Sequence, residues 1–281
     1  MRALFRLSST LVIALSLGLI SCGPSGPESP QPGTNAYLWW TAQESFKKGN
    51  FIDVSNQLDK LTGKESEYKL RAQAWQMIVA TGVARGNAEW ADIVEEGLKL
   101  NRDRQLEFHR IINGTRSEAH QMVMRAAQIN LSSLDALAAA DIALPVALPN
   151  FPVDLPVEAG RVKKGVSLKP AEQEVALLAM QRRAVLKALA LFAGAGDDLK
   201  KAAPAFATGE FKLAKQNLLI GIATQFSELT DMYTSKKLAE SARVKMLCEG
   251  ADKALKGAQA GADTKAIQKK LEAARKKLPK D

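Results

Sequence analysis

Polar and apolar positions repeat at helical spacing along most of this chain. Residues 36–48 place Leu38, Trp39, Ala42 and Phe46 on one face and stop at Gly49-Asn50. From Phe51 to Leu61 the face is Val54, Leu58 and Leu61, and Gly63 marks a turn. The pattern resumes over 68–85, is broken by Gly86-Asn87, and resumes over 88–100. A long helix is expected over about 116–141, beyond the turn signal Asn113-Gly114, with Ala119, Met122, Ala126, Ile129 and Leu137 in a stripe. Another covers 170–192, with Pro170 in its first turn and Val175, Leu178, Arg182, Val185, Leu189 and Phe192 in line. Ala193-Gly194-Ala195-Gly196 ends it, and Asp197 or Asp198 can cap the helix that follows. The remainder reads as helical to Leu278, with turns near Gly209, Ser235 and Gly261.

Several of these helices come in pairs joined at a glycine. Phe46-x-x-Gly49-Asn50-Phe51-x-x-Val54-x-x-x-Leu58 is echoed by Phe206-x-x-Gly209-Glu210-Phe211-x-x-Ala214-x-x-x-Leu218. Laid on Gly86, the pattern meets Trp75, Ile78, Ala91 and Leu98; laid on Gly261, it meets Ala254, Ala266 and Ala273. These hairpins resemble degenerate tetratricopeptide repeats over roughly half the chain. The resemblance implies a short solenoid; an irregular bundle that ends its helices with glycine is the other reading. Trp39 and Trp40 are neighbours on the first helix and diverge by about 100°, so either one packs inside with the other near the surface, or a further helix covers the hairpin and buries both. Arg182, within an apolar stripe, is either a groove-facing charge or a stem laid on the core with its head in water.

Two stretches depart from helical periodicity. Leu144-Pro145-Val146-Ala147-Leu148-Pro149-Asn150-Phe151-Pro152-Val153-Asp154-Leu155-Pro156 has too many prolines for a helix or a central strand, yet is apolar between them. It opens an extended insertion around 144–169, either a packed connection or a segment that docks on a partner. The other is the N-terminus. Arg2 and Arg6 precede an apolar run that starts at Leu11 and closes at Leu19-Ile20-Ser21-Cys22. A basic start, about ten apolar residues and a small residue before the cut describe an export signal. The run is too short to span a bilayer, which takes roughly 20 residues.

Leu19-Ile20-Ser21-Cys22 resembles the lipobox of bacterial lipoproteins. That resemblance implies cleavage between Ser21 and Cys22, diacylglycerol on the Cys22 thiol and acylation of the new amino terminus. Gly23 rather than Asp after Cys22 is consistent, by the same resemblance, with delivery to an outer membrane. From Gly23 to Asn35, prolines at 24, 27, 30 and 32 with Ser and Gly make a tether that cannot pack. At about 3.1 Å per residue it would hold the body up to roughly 40 Å from the bilayer.

Removing residues 1–21 leaves 260 of the 281 residues, enough for a real core. The signal takes two basic residues and no acidic one, so a net charge of +9 becomes +7. That balance suits anionic lipid or cell-wall polymer, and export sets nucleic acid aside. Residues 251–281 concentrate it, with nine basic residues against four acidic. Lysines there also compensate a helix dipole. With Cys22 lipidated, Cys248 has no partner, so packing rather than a disulfide must hold the fold. A buried, inert thiol is expected at Cys248.

No motif for chemistry emerges. His109 and His120 lack the ligand spacing of a zinc site, and neither a Gly-x-Ser-x-Gly elbow nor a phosphate-binding Gly-Lys-Ser/Thr loop occurs. Glu95-Glu96 and Asp197-Asp198 are adjacent pairs that point apart on a helix. The chain therefore reads as all-α, with a signal at 1–21, a lipidated tether at 22–35 and a helical body at 36–281, as one unit or as lobes 36–142 and 170–281. Its expected role is a non-catalytic scaffold without cofactor or metal, held to the membrane through Cys22. Another envelope protein is the expected partner, with Trp39, Trp40 and Arg182 as candidate contacts. The alternative is an enzyme or ligand-binding lipoprotein with its site in a groove between hairpins.

Overall fold

A computed structural model describes residues 29–144, 154–196, 198–206, 209–234 and 240–278. Ten α-helices and one two-stranded sheet make up the described body: α1 (Asn35–Lys47), α2 (Phe51–Thr62), α3 (Lys69–Leu100), α4 (Gln105–Ala139), β1 (Ile142–Leu144), α5 (Val157–Lys163), α6 (Pro170–Phe192), α7 (Leu199–Phe206), β2 (Phe211–Leu213), α8 (Lys215–Thr234), α9 (Ser241–Gly257) and α10 (Ala262–Lys276). The fold is all-α, as the periodicity implies. The signal, Cys22 and the Pro-rich run 145–153 lie outside the described residues, as do Asp197 and Ser235.

The first hairpin forms as its residues dictate. The Thr34 hydroxyl accepts from the Tyr37 amide at 3.1 Å and opens α1. Gly49, at φ +73°, reverses the chain in the left-handed region that glycine tolerates. The Asn50 side chain then accepts from the Asp53 amide at 3.2 Å and opens α2. Phe46 and Phe51, on either side of the turn, meet edge-on at 5.3 Å between centroids.

α3 is the spine of the body and packs against α2, α4, α5, α6 and α8. It runs unbroken through Gly86-Asn87, so the hairpin expected there does not exist. The glycines serve a crossing instead. A Cβ on Gly82 would stand 2.6 Å from the Val185 Cα, and one on Gly86 would stand 2.7 Å from the Gln181 Cα. α3 and α6 thus touch backbone to backbone, a contact that only glycine permits. Asn87 completes it, accepting a hydrogen bond from the Gln181 amide at 2.8 Å inside the core.

Three further expectations are corrected. α4 starts at Gln105, not near 116, and passes straight through Asn113-Gly114. Gly209 does turn at positive φ, but the echoed residues after it form β2 rather than a helix, with Phe211 and Leu213 buried and Lys212 exposed. β2 pairs antiparallel with β1, Ile142 opposite Leu213 and Leu144 opposite Phe211. The insertion around 144–169 also contains a helix, α5, which seats Ala159 and Val162 inward.

One apolar core runs from Trp39 and Phe46 through α3, α6 and α8 to Leu271 and Ala274 of α10, so residues on both sides of the insertion share it. A smaller core at the far end of α3 joins Trp90, Val94, Phe108, Ile112, Val162 and Met180. α9 and α10 form a genuine hairpin over Gly261 and lie on α8. Asp198 caps α7, accepting from the Lys200 and Lys201 amides at 3.0 and 3.2 Å.

Candidate functional site

Trp39 is buried, its ring 5.2 Å from Trp75 and 5.5 Å from Tyr68. Trp40, one step round α1, is half-buried and stacks obliquely on Tyr37 at 5.9 Å. This aromatic pair lies on the first turns of α1, at the N-terminal edge of the helical body. Arg182 is elsewhere. Its guanidinium donates to the carbonyls of Lys48 at 2.9 Å and Gly49 at 3.5 Å, closing the C-terminus of α1. The head is thus spent on a helix end rather than left in water or turned into a groove, and the structure does not bring Arg182 together with the two tryptophans.

A second feature was hidden in the sequence. A cleft of about 300 Å³ opens between α3, α4, α8 and α10 and is lined by charges of both signs. Arg85, Glu89 and Asp92 reach it from one face of α3, spaced i, i+4 and i+7. Arg116 comes from α4, Glu228 and Asp231 from α8, and Lys270 from α10. That spacing on α3 was the only local signal. The partners arrive from positions up to 185 residues away, beyond the reach of a motif.

Most of these charges are paired within the chain. Arg85 Nη1 meets Glu228 Oε2 at 2.6 Å, and both side chains are largely buried. Arg116 Nη2 meets Glu95 Oε2 at 2.6 Å and Asp92 Oδ1 at 3.6 Å. Arg183 of α6 holds Glu89 at 2.8 Å. Each guanidinium therefore clamps two helices, and a ligand would have to displace a carboxylate to reach it. Glu95 and Glu96 do point apart, Glu96 pairing with Lys163 at 3.2 Å.

On the neighbouring turn of α8, the Tyr233 hydroxyl lies 2.8 Å from His120 Nδ1. Burial pushes the Tyr233 phenol well above its usual range, and Glu240 adds to the shift. The phenol thus stays protonated, and its hydroxyl and the His120 ring share one hydrogen bond at the edge of the cleft. Among the described residues no His, Cys, Asp and Glu side chains group in threes that could hold a metal ion.

The basic C-terminal region is partly neutralised within the chain: Lys253 pairs with Asp135 at 3.3 Å, Arg275 with Asp252, and Lys277 with Asp231 at 3.9 Å. Cys248 of α9 is buried, and desolvation holds its thiol above the ordinary range despite the nearby Arg275. No family model matches the chain, and no curated protein or solved structure matches it.

Proposed function

We propose that the chain is a lipid-anchored protein of the bacterial envelope whose helical body acts as a non-catalytic scaffold for another envelope protein. One observation carries this reading: Leu19-Ile20-Ser21-Cys22 ends an export signal and stands thirteen residues before a capped helix. Among the described residues no helix is long and apolar enough to cross a membrane, so attachment would fall to the lipid on Cys22. Lipid fixes the body at the membrane, the tether sets its reach, and confinement raises the effective concentration of the partner. Tyr37 and Trp40, half-buried beside the tether, are the contact offered to that partner, since aromatic side chains anchor interfaces at low entropic cost. An outer-membrane destination accords with Gly23.

Affinity purification of the lipidated protein from its own envelope tests the scaffold. An envelope protein should co-purify in fixed ratio, and Trp40→Ala should lower that ratio while lowering the melting temperature by no more than about 4 °C. Purification without a partner, or a partner equally retained by Trp40→Ala, contradicts the assignment.

The charged cleft favours a second reading, a ligand-binding lipoprotein. Its lining would suit a zwitterion that exchanges into the Arg116–Asp92 pair, the longer of the two contacts Arg116 makes. An amino acid that raises the melting temperature of the parent but not of Arg116→Met would replace the scaffold with this reading.

A further inference from the structure

The turn from α3 to α4 presents large aliphatic side chains to water. Leu100, the last residue of α3, is 70% exposed, and Leu106, in the first turn of α4, is 88% exposed. Val166, from the connection between α5 and α6, is 39% exposed, follows the Gly165 that packs on Leu100 and shares a small pocket with Glu107 and Phe108 of α4. The three are held together by specific bonds. The Asn101 amide donates to the Gly165 carbonyl at 2.8 Å, and the Ser167 hydroxyl donates to Glu107 at 2.7 Å. Gly165, at φ +83°, lies so close to Leu100 that a Cβ on it would stand 3.0 Å from the Leu100 Cβ. Gly97 seats α5 in the same way, its missing Cβ falling 2.1 Å from the Val162 carbonyl oxygen. The result is a pinned apolar knob at the end of a helix pair.

Cations surround the knob. Lys99, Arg102, Arg104, Arg110 and Lys164 stand on the same turns, with Asp103 and Glu107 as the acids between 99 and 110. Arg104 leans toward Glu107 at 3.9 Å. Among the described residues, Lys99, Arg102, Arg110 and Lys164 have no carboxylate within ion-pair distance. Exposed leucines flanked by such cations match the boundary layer of an anionic bilayer, where aliphatic tips enter the acyl edge and cations meet phosphate. A knob also suits a fluid surface, because a rigid partner would need a socket built to receive it.

We propose that this tip is a second membrane contact, docking on an anionic phospholipid surface beside the lipid on Cys22. The proposal takes its setting from the lipid-anchor reading. Trp39 against Tyr68 places α1 at the first turn of α3, so tether and tip lie at opposite ends of that helix. At about 1.5 Å per residue, α3 is roughly 48 Å long. The thirteen residues from Cys22 to Asn35 can span up to about 45 Å. Both contacts are met at once when α3 lies along the bilayer. The lipid already anchors the chain, and the second contact fixes the orientation of the body on the bilayer.

The test uses the polypeptide from residue 22 with Cys22→Ala, which keeps every described residue and carries no lipid. Its co-sedimentation is compared on vesicles of pure phosphatidylcholine and on vesicles with about one third phosphatidylglycerol. The parent should prefer the anionic vesicles by at least about tenfold and lose that preference in high salt. Leu100→Asp with Leu106→Asp, both at exposed positions, should abolish binding at an unchanged melting temperature. Arg102→Gln with Arg110→Gln should weaken it several-fold, whereas Lys265→Gln with Lys269→Gln on α10 should not. The proposal falls if the parent does not bind anionic vesicles, or if the aspartates leave binding intact. It falls equally if the parent is a dimer that the aspartates make monomeric, which would assign the knob to a second copy of the chain. None of these outcomes bears on whether Cys22 carries lipid.

Discussion

Arg182 Nη2, on α6, donates to the Lys48 carbonyl at the end of α1 across 2.9 Å and 134 residues of sequence. The Gly49 carbonyl accepts a longer bond from Nε of the same guanidinium, so one cation serves two carbonyls that a helix end leaves open. Arg182→Met keeps the stem on the core and removes the donors. It should cost about 1–2 kcal/mol in urea unfolding. An unchanged midpoint would mean that water serves these carbonyls equally well.

Glycines in this chain fall into groups that substitution should separate. Gly82→Ala and Gly86→Ala force α3 off the backbone of α6 and should each cost about 2 kcal/mol or more. Gly114, also inside a helix, has nothing within 4 Å of the position a Cβ would take. Gly114→Ala should therefore stabilise the fold by up to about 1 kcal/mol. Gly49→Val should cost about 1–2 kcal/mol, because a β-branched residue resists the positive φ that turns the first hairpin. Thermal unfolding of the four variants checks both signs.

The same glycines explain what the sequence could reveal. The α1–α2 hairpin was legible because its signals are local: Phe46, Gly49 and Asn50 act on neighbours within five residues. Gly86-Asn87 carries the same local signal as Gly49-Asn50, but its cause is Gln181, nearly a hundred residues away. Asn113-Gly114 likewise resembles a turn, yet the surrounding helix tolerates it. Phe211-Lys212-Leu213 looked helical because a two-residue alternation is too short to oppose a helical frame, and only β1 makes it a strand. The charged cleft was not legible because its lining comes from four helices, Arg85 of α3 meeting Glu228 of α8 across the fold.

Trp39 and Trp40 should respond oppositely to truncation. Trp39→Ala empties a space lined by Tyr68 and Trp75 and should cost about 3–5 kcal/mol. Trp40→Ala, at a half-buried position, should cost about 1 kcal/mol and act mainly on association. Equal losses of stability would return both rings to the core.

Cys248 should be silent toward alkylating reagents. Its burial and raised thiol pKa leave little thiolate at neutral pH. Iodoacetamide should modify it only as the fold opens, with a rate that rises through the denaturant midpoint. Rapid modification of the folded protein would place the α8–α9–α10 packing in error.

The lipid anchor is the central claim, and the mass of the N-terminal peptide of the protein isolated from its own membrane tests it most directly. The account predicts a chain that begins at Cys22 and carries diacylglyceryl on the thiol, with or without a third acyl chain on the amine. A chain that begins elsewhere, or that begins at an unmodified Cys22, would contradict it.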